Sequence, residues 1–284
     1  MAAPLALLDG RVLPLAEARI SPLDRGFLFG DGIYEVVKLV GGQALFFDRH
    51  LARLSRNLAA ARIPEPPDLL SGLDELLDRQ GAVDGALYFQ ITRGVEERRS
   101  HKPPAAPRPT VFAFVQEIEF PSAIDALPGL AAITVRDERW ARCNLKTTSA
   151  MATVLAKLAM SDAGADEVLF VGPDGEVREG GNTSFFARDA KGWHVHPSGS
   201  NLLPGITHQV LAGAAAETGL ALVERPPLLT ARSAWSEALL CGTTTGVRGV
   251  ATLDGAAIGD GRVGAETRRW AALLAQLERR ERSR

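Results

Sequence analysis

Residues 36–40 form an apolar run broken only by Lys38, which predicts a strand. Gly41-Gly42 turns it and residues 44–47 return, so a hairpin is expected. Asp48 then reads as the cap of a helix. Leu51, Leu54, Leu58 and Ala61 recur at steps of three or four and define one apolar face. Pro64, Pro66 and Pro67 end that pattern, and residues 68–80 predict a second helix. Strands are expected at 86–93 and 109–117, on either side of a polar, proline-rich loop from Gly94 to Arg108.

Residues 121–129 carry two prolines and a glycine between apolar runs and read as a linker. It divides the chain into an N-terminal α/β domain (1–120) and a larger C-terminal α/β domain (130–284). The second begins with a strand at 131–136 and a helix at 150–163 closed by Gly164. A strand at 167–171, a Gly-Pro-Asp-Gly turn and an extended segment at 176–187 follow. Helices are expected at 206–218 and at 265–280. Strands and helices mix without strict βαβ alternation, and no G-x-G-x-x-G occurs, so a doubly wound dinucleotide-binding fold is not expected.

Composition narrows the function classes. A chain of 284 residues that is 46% hydrophobic can bury two ordinary cores. A net charge of −2 gives no electrostatic reason to expect nucleic acid or an anionic membrane, and the basic stretch 279–284 reads as a solvated helix end. Cys143 and Cys241 alone make no disulfide scaffold. The mildly apolar start is interrupted by Asp9 and Gly10, so neither a signal peptide nor a spanning helix is expected there, and a cytoplasmic location is the default.

Lysine is scarce: five of 32 basic residues. Lys146 stands out. It follows Trp140-Ala141-Arg142-Cys143-Asn144-Leu145, precedes Thr147-Thr148-Ser149, and lies where an extended segment passes into a helix. Such a position fixes the backbone and leaves the amine accessible for nucleophilic chemistry; a structural lysine at a helix start fits the same residues. Glu179, followed by Gly180-Gly181, could hold a proton on a cofactor ring nitrogen or be a surface turn acid. Leu203-Pro204-Gly205-Ile206-Thr207 opens a helix whose free amides would suit an anion. Gly242-Thr243-Thr244-Thr245-Gly246 is a second donor-rich loop, and Arg53 could add a guanidinium. His194 and His196 alternate on a strand, but no third ligand stands at usable spacing, and no metal is expected.

Taken together, these blocks resemble the class IV (fold type IV) pyridoxal-phosphate-dependent aminotransferases. Asp24-Arg25-Gly26-Phe27-Leu28-Phe29-Gly30-Asp31-Gly32-Ile33-Tyr34-Glu35 is close to the family's N-terminal signature. His50-Leu51-Ala52-Arg53-Leu54 resembles the phosphate-arginine segment, and Arg139 to Lys146 the segment ending in the cofactor lysine. Glu179-Gly180 and Leu203 to Thr207 resemble the ring-nitrogen acid and the phosphate helix. The resemblance implies a two-domain α/β (mixed α+β) fold and a homodimer. It makes Lys146 and Glu179 the catalytic pair, with pyridoxal 5'-phosphate held by Arg53, Leu203, Ile206, Thr207, Thr243 and Thr244. Within the family the chain is most similar to D-amino acid aminotransferases. Tyr34 and an Arg-x-His, here Arg99-Ser100-His101, would hold the substrate carboxylate, with Arg98 the alternative to Arg99 because the loop is one residue longer. Gly242 and Ser184 depart from the family's usual hydroxyl residue and Asn. Branched-chain L-aminotransferase, (R)-amine transaminase, aminodeoxychorismate lyase and a non-catalytic protein on the same fold are the rival readings.

Overall fold

Asp9 and Gly10 both have positive φ, 47° and 78°, which is the backbone of a tight hairpin turn. They join β1 (Leu5–Leu8) to β2 (Arg11–Pro14). The interruption in the apolar start is therefore a turn between two strands. The protein is described by a computed structural model covering residues 4–121 and 127–283. Residues 122–126 of the expected linker, and residues 1–3 and 284, lie outside the described residues.

The chain forms two compact units, Met1–Phe120 with Leu145–Ala150, and Pro121–Asn144 with Met151–Arg284. In the first, α1 (Arg25–Phe29) precedes the long β3 (Gly32–Val40), which turns into β4 (Gln43–Ala44). Helices α2 (Phe47–Ala61) and α3 (Leu69–Gln80) follow, then β5 (Gly85–Thr92) and β6 (Thr110–Glu117). The six strands make an antiparallel sheet in the order β2-β1-β6-β5-β3-β4. Alternation along β3 turns Ile33, Glu35, Val37 and Leu39 inward, where α2 and α3 cover the sheet with Leu54, Leu58, Leu73 and Leu76. The returning arm of the hairpin is shorter than expected, and Phe46, in the left-handed region, stands at the helix cap in place of Asp48. Asp48 sits inside the first turn, where a carboxylate still favours the helix dipole.

The second unit opens with β7 (Leu130–Arg136), α4 (Met151–Asp162), β8 (Glu167–Val171) and β9 (Val177–Gly180). It continues through β10 (Ser184–Asp189), β11 (Gly192–Val195), α5 (Ile206–Ala215) and β12 (Leu222–Glu224). Finally come β13 (Glu237–Gly242), β14 (Gly246–Leu253), β15 (Ala256–Ala257) and α6 (Ala265–Arg282). The stretch 176–187, expected to be continuous, is broken at 181–183 into β9 and β10, because these two strands pair with each other at Glu179 and Ser184. That pairing closes the path β10-β13-β14-β7-β8-β9 on itself. Trp270 of α6 packs edge-on to Phe186 and Trp193 beneath α5, at ring-centroid distances of 5.6 and 6.2 Å. Among the described residues no helix is long and apolar enough to cross a membrane.

Lys146 belongs to the first unit, not to the C-terminal half that the linker position suggested. Its segment is stitched to β3 by backbone bonds. The Tyr34 amide donates to the Lys146 carbonyl and the Thr148 amide to the Gly32 carbonyl, each at 3.0 Å, and Ile33 bridges Thr147.

Candidate active site

In the first unit, strand alternation carries Tyr34 to the face opposite Glu35. The Lys146 amine lies 4.2 Å from the centroid of the Tyr34 ring, a cation–π contact. Tyr34 stacks on Tyr88 at 5.5 Å, and the Tyr88 hydroxyl donates to Gln90 Oε1 at 2.7 Å. Burial, with the neighbouring Tyr34, pushes the Tyr88 phenol up to about 12. Lys146 is half-buried and, among the described residues, has no carboxylate partner. A lysine held over a phenol ring, with no counter-ion among the described residues, is an available amine.

Behind Tyr34, Glu35 is fully buried and accepts bonds from Arg53 Nε (2.7 Å) and Nη2 (2.8 Å), and lies 2.8 Å from His50 Nδ1. Burial opposes its charge, but the Arg53 and His50 bonds and charges outweigh that and hold its carboxyl at about 2. Arg53 is thus a buried guanidinium braced by a carboxylate.

The Arg-x-His loop meets α1. Phe29 has the Arg99 guanidinium 4.8 Å from its centroid and the His101 ring at 5.0 Å, and both partners are exposed. Arg98 is exposed and shares no contact with this ring among the described residues.

In the second unit, Glu179 lies in β9 one residue before its end, with its side chain only 8% exposed. Its carboxylate accepts from Arg139 Nη1 and, at 3.1 Å, from the Leu203 amide. Burial pushes its carboxyl up, an effect that Arg139 and the Leu203 amide only partly offset. Arg139 forks onto Asp137 at 2.9 Å through Nε and Nη2, and Asp137 also accepts from Arg178. The sequence reading missed Arg139 as a site residue although it opened the quoted lysine segment; a fork partner six or more residues from the lysine leaves no local signal.

Leu203 precedes α5, whose buried Ile206 and Thr207 present first-turn amides with no intrahelical acceptor. A Cβ on Gly205 would lie 2.6 Å from Ser184 Oγ, and Ser184 pairs with Glu179 and Cys241. The β10–β13 edge therefore brings Glu179, Ser184, Leu203 and the start of α5 together. Thr243, Thr244 and Thr245 form the half-exposed turn that follows β13. His194 pairs with Asp189 at 2.8 Å, and His196 contacts the Pro197 carbonyl.

A family model for class IV aminotransferases matches residues 32–253. The chain belongs to that family. This aminotransferase is 32% identical over 265 residues to a D-alanine aminotransferase of Bacillus licheniformis, covering 92% of this chain and 93% of the relative. It is 30% identical over the same shares to a D-alanine aminotransferase of Staphylococcus haemolyticus. Among solved structures, a branched-chain amino acid aminotransferase from Escherichia coli matches with a TM-score of 0.86 at 18% identity, over 98% of this chain and 95% of that one. A branched-chain aminotransferase from the archaeon Thermoproteus uzoniensis matches with a TM-score of 0.84 at 20% identity, over 99% and 97%. At these identities the likeness is one of fold. Class IV aminotransferases use pyridoxal phosphate, and the chain is a pyridoxal-phosphate-dependent aminotransferase. Taken unit by unit, the residues have the chemistry that group needs: in the first, a primary amine at Lys146 with no carboxylate partner among the described residues; in the second, a buried carboxylate at Glu179 and the first-turn amides and hydroxyl of α5.

Proposed function

We propose that this aminotransferase moves the amino group of a D-amino acid, such as D-alanine or D-glutamate, to 2-oxoglutarate or pyruvate. The observation that carries the reading is the shared packing of Arg99 and His101 on Phe29, which presents a guanidinium and an imidazole from one loop. A guanidinium grips a carboxylate through two parallel bonds. The side of the pocket on which it does so decides which enantiomer turns its Cα–H toward the lysine. The relatives named D-alanine aminotransferase support the same choice.

In this reading Lys146 would hold the cofactor through its amine until the substrate's own amine takes its place, and the freed Nζ would then remove the Cα proton of the substrate. Glu179 holds a proton on the ring nitrogen, and Arg139 holds Glu179. Arg53, Ile206, Thr207, Thr243 and Thr244 take the phosphate, and Leu203 packs on the ring. Tyr34, Arg99 and His101 take the substrate carboxylate. When bound, pyridoxal phosphate supplies the electron sink for the carbon–hydrogen bond broken at Cα. The enzyme works as a cytoplasmic homodimer.

A panel of D- and L-alanine, L-leucine, D-glutamate and (R)-1-phenylethylamine against both oxo acids tests the reading. D-Amino acids are expected to react fastest, and Arg99→Ala to raise KM for D-alanine. Preference for L-leucine, or an unchanged KM in the variant, refutes it. Separately, Lys146→Ala is expected to lose the visible absorbance of the bound cofactor, and survival of that band removes Lys146 from its role.

A further inference from the structure

Arg25 is 4% exposed, and each of its three guanidinium nitrogens donates a hydrogen bond. Its Nε donates to Asp31 Oδ2 at 2.8 Å, its Nη1 to the Ser100 carbonyl at 2.6 Å, and its Nη2 to the His101 carbonyl at 3.4 Å. Its guanidinium also lies 4.9 Å from the centroid of the Phe29 ring on which Arg99 and His101 rest. Asp31 is itself fixed by Arg93, whose other bonds reach the Ala61 and Arg62 carbonyls at the end of α2.

The base of this loop is held in other ways. Asp24 caps α1 through the Gly26 amide and accepts from Thr92 Oγ1, the Arg25 amide donates to the Gly94 carbonyl, and Asp24 bridges Val95. Gly94, at φ 96°, passes so close to Arg108 that a Cβ would lie 1.8 Å from its carbonyl oxygen. The loop is therefore pinched shut at its stem. Its tip is different. Among the described residues, Arg25 is the only side chain from outside the loop that hydrogen-bonds the backbone of residues 97–102.

We infer that Arg25 is the positioning residue of the substrate loop: it fixes the backbone at Ser100, between Arg99 and His101, and at His101 itself, and so sets where the carboxylate is gripped. The inference rests on the proposed role of Arg99 and His101. Arg25 itself touches neither substrate nor cofactor; it acts through two carbonyls and one ring. A fork that makes two bonds to carbonyls while pairing an acid is a task for arginine, since a lysine ammonium can reach only part of that pattern.

The test uses the holoenzyme and the variants Arg25→Met and Arg25→Lys. Two trypsin sites, after Arg98 and after Arg99, lie in the loop itself, so limited digestion mapped by mass spectrometry reads tip mobility directly. Cleavage in Arg25→Met is expected to be about tenfold faster, the effect of losing one hydrogen bond to a charged group. Arg25→Lys should fall between, and it serves alone if the methionine variant does not fold. KM for D-alanine should rise by about the same factor with kcat within about twofold. Unchanged cleavage in both variants overturns the inference. Faster cleavage with unchanged KM supports the tether but removes Arg99 and His101 from the carboxylate, which is the failure of the functional reading alone.

Discussion

Replacing Arg139 with methionine takes from Glu179 the one guanidinium that it contacts among the described residues. Both side chains are nearly buried, at 8% and 12% exposure, so the remaining carboxylate faces low dielectric with only the Leu203 amide on it. Removing one partner of a buried pair costs about 3–5 kcal/mol. Here the lower end applies, because the methionine keeps contact with the Phe170 ring, which lies 4.0 Å from the guanidinium carbon, and Asp137 keeps Arg178. The carboxylate can escape by taking a proton, at a cost of about 1.4 kcal/mol for each unit of pH above its pKa. Glu179 already titrates above its ordinary value in the folded chain, so the fold binds more protons there than the unfolded chain does. Stability then falls as pH rises through that interval, and losing Arg139 extends the interval upward. The measurement is urea unfolding of the cofactor-free chain followed by tryptophan fluorescence. Trp140, Trp193, Trp235 and Trp270 all lie in the second unit, so the signal reports the unit that holds Glu179. A loss of about 3 kcal/mol lowers the urea midpoint by roughly 1.5 M at an m-value of about 2 kcal/mol/M. The shift should be largest at pH 8 and smaller at pH 5, and Glu179→Gln should remove most of it in the double variant. An equal shift at both pH values would show that Arg139 supports packing rather than the charge on Glu179.

Three further outcomes follow from single residues. Glu35 is held at about 2, below its ordinary 4.5, so the stability it contributes is present above pH 4.5 and lost as pH falls toward 2; this is about 3 kcal/mol. Protection of the β3 and β5 amides from hydrogen exchange should fall across that range, and identical acid sensitivity in Glu35→Gln would refute the assignment. Gly26→Ala should cost about 1–3 kcal/mol, because its Cβ would sit 2.3 Å from Thr92 Cγ2; Thr92→Ser removes that methyl and should restore most of the loss in a thermal-melt comparison. Gly30→Ala meets φ 63° and Ser149 Oγ at 2.4 Å, so it should displace the segment carrying Lys146 and weaken cofactor retention measured by absorbance during dialysis. Wild-type retention there would uncouple Gly30 from the lysine.

The long periodic segments were legible. The α2 face, the β5–β6 pair and the terminal α6 all lie within one or two residues of their sequence-read bounds, since hydrophobic period sets both the element and its buried side. The short elements were not. The β1–β2 hairpin carries an Asp-Gly turn, but strands of four residues on either side are too short to show a period, so in the sequence the turn marks only a break in an apolar start. Helix α1 is too short to show a period, and only its Asp24 cap and αL Gly30 mark it. The clustering of Lys146 with the first unit was not legible for a different reason. Chain order says which residues are joined, while the backbone bonds of residues 145–150 to β3 are long-range and leave no trace in local pattern.

The site shows the same division between residue type and partner. Lys146 and Glu179 are candidates by residue type and position and Tyr34 by the family resemblance, but what holds each could not be read. Glu35 illustrates the missing step. In a strand whose alternation puts Ile33, Val37 and Leu39 into the core, a carboxylate at the intervening inward position is unfavourable unless something cationic meets it there. His50 and Arg53 stand three residues apart on the buried face of α2, beside Leu54, Asn57 and Leu58, and they are equally out of place on their own. An inward acid on one element and two inward bases on the next predict each other, and no other pairing satisfies both. Polar residues that break the apolar face of two neighbouring elements are thus evidence of their register, and here that register is what aims Arg53.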